Sequence, residues 1–94
     1  MKQNLIAGQW VGSTQSTTNV NPSDLSDVID DYAQASAQDV TDAINAAHAA
    51  FSAWGRSSPE LRSDILDRAG AEILARREEL GHLLSREEGK TLAE

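Results

Sequence analysis

Few residues in this chain are of types that do chemistry. There are two histidines, His48 and His82, and no cysteine among 94 residues. That removes a thiolate nucleophile, a disulfide framework and thiolate-bound metal from what these residues can supply. His48 follows Ile44 by four residues and precedes Phe51 by three, at the border of an apolar helical stripe, and reads as boundary packing. His82 lies among leucines with Glu78 four residues earlier. One carboxylate and one imidazole a helical turn apart are too few ligands for a metal centre. Asp24, Asp27, Asp30 and Asp31 lack the alternating spacing, turn glycine and closing Glu of a calcium loop, so they read as solvated turn and edge charge. Ser26, between Leu25 and Asp27, does not fit a carrier-protein attachment serine, which needs Asp before the Ser and Leu after it. Gly8 and Gly12 do not lead a strand into a helix at the spacing of a phosphate-cradling loop. Trp10 and Trp54 have no cations interleaved with them and read as core or interface anchors, not as base-stacking platforms. No catalytic, cofactor-binding or metal-ligating residue is therefore assigned.

Charge narrows the partners. Eight Lys and Arg stand against fifteen Asp and Glu, a net charge of −7, and Lys2 is the only base before Arg56. A nucleic-acid or anionic-membrane surface needs clustered positive charge, and neither half of the chain has it. No apolar run approaches the ~18 residues of a membrane span, and no basic segment precedes an apolar run and a cleavage site. The expectation is a cytoplasmic protein with no nucleic-acid or membrane partner. The interior is thin as well: 39% of residues are hydrophobic, and 14 of these are Ala.

The elements that would position these residues fall into two parts: strands and turns over 1–36, helix over 37–94. Asn4 to Val11 has apolar-rich ends around Gly8, which takes the positive φ of a tight turn most readily, and predicts a small antiparallel hairpin. Gly12 to Asn19 is polar without periodicity. Asn21-Pro22-Ser23-Asp24 is a turn, because proline fixes φ and the Asx and Ser side chains cap their own backbone. Asp27 to Ala33 predicts a second, exposed or edge strand.

The helical part is better specified. Ser36 and Asp39 form a capping box that starts a helix over about Gln38–Trp54. Val40, Ile44, Ala47, Phe51 and Trp54 recur at steps of four and three on one stripe, and Gly55 is a plausible stop. Ser58 followed by Pro59 starts a second helix, since proline's missing N–H costs nothing at the first helical position. Leu61, Ile65, Ala69 and Ile73 form its apolar row, flanked by the alternating charges Asp64, Arg68, Glu72 and Arg76. Leu80, Leu83 and Leu84 continue to Gly89, a C-terminal cap. The pattern leaves open whether the last two helices are separate or one bent rod. Together this is an α+β arrangement of short antiparallel strands followed by two or three amphipathic helices.

The order of these pieces resembles the N-terminus of NAD(P)-dependent aldehyde dehydrogenases. The resemblance runs through Leu5-Ile6-Ala7-Gly8-Gln9-Trp10-Val11, then Asn19-Val20-Asn21-Pro22, then the helix from Asp39 to Trp54 with Ala43, Ile44, Ala47, Ala50 and Phe51. It continues in Arg62, Ile65, Leu66, the run Leu74-Ala75 to Glu78-Glu79-Leu80, and Glu88-Gly89-Lys90, which is similar to the family's Glu-x-Gly-Lys signature. It covers Asn4 to Glu94. It implies a parent enzyme that oxidises an aldehyde to its carboxylate with NAD or NADP, through a nucleophilic Cys and a Glu-activated water. In the family those parts, the dinucleotide glycine motif and the oxyanion-hole Asn come later, beyond Glu94, so no cofactor is expected to bind this segment. The resemblance implies that 1–94 is one segment of a cofactor-binding domain within a larger α/β fold, its helices lying against the rest of that chain. The parent is expected to be a homo-oligomer. The phrase Ser85 to Lys90 and the Asn-Pro-Ser turn are reminiscent of the 2-oxoglutarate semialdehyde dehydrogenase-like subgroup, with a short semialdehyde as substrate. Residues 91–94 would continue a helix or its connection, as in a truncated chain.

The residues alone also support a different reading: a self-contained acidic helical module that binds a partner protein through the Val40, Ile44, Phe51 and Trp54 stripe.

Overall fold

The computed structural model describes all residues from Met1 to Glu94. The order of elements is β1 (Asn4–Ile6), β2 (Gln9–Val11), β3 (Ser16–Asn21), β4 (Asp24–Ala33), α1 (Ala37–Arg56), α2 (Pro59–Ala75) and α3 (Arg77–Glu88). Both sheets are two-stranded and antiparallel, β1 with β2 and β3 with β4.

The first hairpin turns at Ala7 and Gly8, both at positive φ, 51° and 77°. This is the two-residue turn whose twist matches paired strands. The second turns at Pro22-Ser23, where the Asn21 side chain accepts from the Ser23 amide at 2.9 Å. Its register runs from Ser16 opposite Ala33 to Asn19 opposite Asp30, then slips on either side of Val20. The two hairpins meet at Lys2, which pairs in parallel with β4 through Lys2 N–H to the Asp31 carbonyl at 2.7 Å and Ala33 N–H to the Lys2 carbonyl at 2.8 Å. Asn4 adds a side-chain bond to the Ala33 carbonyl at 3.3 Å.

The polar stretch after Gly12 is not all loop. Ser16–Asn21 is a full strand, and β4 starts at Asp24, three residues before the apolar pattern announces it. The alternation is masked because neither face of this sheet is buried within the chain. Cross-strand polar pairs hold it instead: Thr18 Oγ1 donates to Asp31 at 2.6 Å.

Helix α1 begins as its capping box requires. Asp39 N–H donates to Ser36 Oγ at 3.1 Å, and Ser36 N–H to Asp39 Oδ2 at 2.8 Å. It does not stop at Gly55. The helix continues to Arg56, and Ser57 caps it by donating from its hydroxyl to the Trp54 carbonyl at 2.6 Å. Ser58 caps α2 with Pro59 at its first turn, and Arg62 reaches back to the Ser57 carbonyl, tying the end of α1 to the start of α2. Helices α2 and α3 are separate, broken at Arg76, whose backbone leaves the helical well at φ −102° and ψ 17°. A bidentate pair from Arg76 to Glu79, at 3.1 and 2.6 Å, holds the break. The pattern-based flank is only half formed: Asp64 pairs with Arg68 at 3.1 Å, whereas Arg76 turns to Glu79 and not to Glu72. Residues Thr91 to Glu94 form a turn closed by Glu94 N–H on the Thr91 carbonyl, not a further stretch of helix.

The interior is almost absent. Ala33 is the only buried residue, and the accessible surface is 7370 Å², against about 5300 Å² for a compact chain of this mass. The radius of gyration is 17.0 Å, where a compact chain of this length would have about 12 Å. Trp10 and Trp54, read from sequence as core or interface anchors, anchor nothing in the interior here; they are 67% and 43% exposed. Helix α1 turns its small face, with Ala43 and Ala46 half-buried, toward β1. The bulky stripe is left bare, Ile44 at 63% and Phe51 at 75% exposed.

Candidate functional site

The side chains that could have done chemistry are dispersed. His48 is exposed on α1 and His82 on α3. Glu78 pairs with the neighbouring Arg77 at 3.7 Å, not with His82, and no group of three His, Asp or Glu is placed to hold a metal ion. Ser26 Oγ donates to Asp24 at 2.6 Å, closing a local turn. Each acidic residue of β4 has a protein partner: Asp30 accepts from the Asp31 amide at 2.8 Å and lies 3.5 Å from Lys2, Asp31 takes Thr18, and Asp27 takes Arg86. The Asp31 amide, first, and Lys2, less strongly, hold the Asp30 carboxyl below its ordinary range.

What the fold does assemble is a polar clasp between β3–β4 and the end of α3. Arg86 donates to Asp27 through Nε at 3.0 Å and Nη2 at 2.6 Å, a bidentate fork. One residue on, Glu87 Oε1 accepts from Asn19 Nδ2 at 3.0 Å and from the Tyr32 hydroxyl at 3.2 Å. Asn21 also donates to Asp27, at 3.4 Å. The Arg86 fork is the main reason the Asp27 carboxyl is held below its ordinary value, and Asn21 assists while partial burial opposes. The Arg86 guanidinium is pushed up in turn by the same bond.

Gly89 completes the clasp and shows why a glycine stands there. It caps α3 in the left-handed region at φ 68°, which costs a side-chain-bearing residue strain. A Cβ at this position would also lie 2.6 Å from Ser23 Oγ and 2.7 Å from the Pro22 ring. Ser23 Oγ donates to the Gly89 carbonyl, and Lys90 pairs with Glu88 at 3.0 Å. The Glu-Gly-Lys phrase and the Asn-Pro-Ser turn, far apart in sequence, are thus two halves of one contact. Residue types alone did not pick out Arg86, Glu87, Asn19 or Tyr32 as a set. The one signal was the resemblance of the two phrases, which contain Arg86 and Glu87 and lie two residues from Asn19; nothing pointed to Tyr32.

The remaining feature is an open apolar groove at the α2–α3 junction, lined by Gly70, Ile73, Leu74, Leu80, Gly81 and Leu84. Arg77 also lines it, the one charged residue there; with no second polar group converging on it, the groove presents surface for packing and not for catalysis.

A flat α+β arrangement with one buried residue, a polar clasp and bare helix faces is what a segment of a larger fold presents. The chain belongs to the aldehyde dehydrogenase family, whose model matches residues 10–94. Among its relatives, 1-pyrroline-5-carboxylate dehydrogenase of Geobacillus thermodenitrificans (strain NG80-2) is 38% identical over 86 residues, 92% of this chain and 17% of the relative. The mitochondrial succinate-semialdehyde dehydrogenase of Arabidopsis thaliana is 37% identical over 93 residues, 98% of this chain and 18% of the relative. 1-Pyrroline-5-carboxylate dehydrogenase 2 of Bacillus subtilis (strain 168) is 36% identical over 86 residues, 92% of this chain and 17% of the relative. The chain therefore spans less than a fifth of the length of the curated relatives it matches. No solved structure matches it.

Proposed function

We propose that Met1–Glu94 is the N-terminal structural segment of an NAD(P)+-dependent aldehyde dehydrogenase that oxidises a short semialdehyde to its carboxylate, and that the segment alone is inactive. The observation that supports this is the single buried residue in a chain that matches the family over 85 of its residues. Polypeptide with this much bare apolar surface is completed by other polypeptide. The segment would form part of the cofactor-binding domain, with the rest of the enzyme closing over the α2–α3 groove. The semialdehyde assignment is supported by the names of the relatives, and a cytoplasmic homo-oligomeric parent by the general resemblance.

The nicotinamide cofactor supplies a hydride acceptor when it is bound in the complete enzyme. The residues present here do not fit it. The one junction that leads from a strand into a helix is Gln34-Ala35-Ser36, and the carboxylate of Asp39 already accepts from the amide of Ser36 there. An anion-binding helix terminus needs free amides and no such carboxylate. What this chain contributes is position: the clasp fixes β3–β4 against α3, and the Ser57–Arg62 contact fixes α1 against α2.

Two measurements test the reading. Met1–Glu94 alone, incubated with NAD+ or NADP+ and succinate semialdehyde, is expected to give no reduced nicotinamide. Spliced in place of the matching segment of the Bacillus subtilis relative, it is expected to give an active enzyme. Turnover by the isolated chain, or a well-folded chimera without activity, overturns the proposal.

A further inference from the structure

We draw no further inference here: the strongest candidate, the open apolar groove at the α2–α3 junction between Ile73, Leu74, Leu80 and Leu84, carries nothing beyond the reading above, because nothing in the structure shows what covers it.

Discussion

Gly89 and Asp27 show how much single side chains carry in a molecule without an interior. At Gly89 both the backbone angle and the space forbid a Cβ. Gly89→Ala is therefore expected to cost about 1–3 kcal/mol, read as lost amide-exchange protection where α3 meets the Pro22-Ser23 turn, with α1 unaffected. At Asp27 the carboxyl is held below its ordinary value of 3.8, chiefly by the Arg86 fork. A depressed carboxyl gives stability that is fully present above the unfolded value and lost as pH falls through the lower folded value. Docking of β3–β4 on α3 is thus expected to hold above pH 4 and loosen below it, followed by the chemical shifts of Asn19 and Tyr32. Asp27→Asn is expected to weaken that docking at neutral pH, and loosening of the same extent at pH 7 and pH 3 in the unmodified chain would refute the assignment. Arg86→Lys is expected to recover only part of the contact, because an ammonium cannot reproduce the bidentate fork.

At the scale of elements, the helices were legible in the sequence because their signals are local. The Ser36-Asp39 capping box and the Ser58-Pro59 start lie within four residues of what they satisfy, and both form as read. Ser36→Ala is expected to cost about 0.5–2 kcal/mol, seen as fraying of the first turn of α1 by exchange or carbon shifts. The strand Ser16–Asn21 was not legible, since its partners are polar and its apolar face is not buried, so no period-two pattern marks it. The clasp was not legible for a different reason: Asn19 and Glu87 are 68 residues apart, and residue types say nothing about which loops meet. Gly55 misled because glycine stops a helix only where the chain leaves the helical well, and here Ser57 provides the exit.

Across the whole molecule, the thinness of the interior was visible in the alanine count, but the amphipathic stripe was not evidence of which side faces inward. Helix α1 spends alanines on its own strands and keeps Ile44 and Phe51 for something else. With 7370 Å² already exposed out of about 14,600 Å² for the unfolded chain, unfolding exposes about 7,300 Å², roughly four-fifths of what a compact chain of this mass would expose. Its urea m-value is accordingly expected to lie at the low end of the small-domain range, ~1 kcal/mol/M. Its thermal transition is expected to be broad, because few contacts tie the elements into one cooperative unit. A sharp two-state transition of the isolated chain would favour the self-contained module, and with it a binding role for the stripe toward an unrelated protein.

The ladder between Lys2 and β4 also matters for limited proteolysis. The exposed connection at Gly12–Gln15 is the natural place for a protease to nick, but residue 2 stays zipped to Asp31 and Ala33 on the far side of the cut. A nicked molecule would keep its amino-terminal peptide as a non-covalent passenger, released only by denaturant. That peptide, supplied in trans, could serve as a short complementing tag.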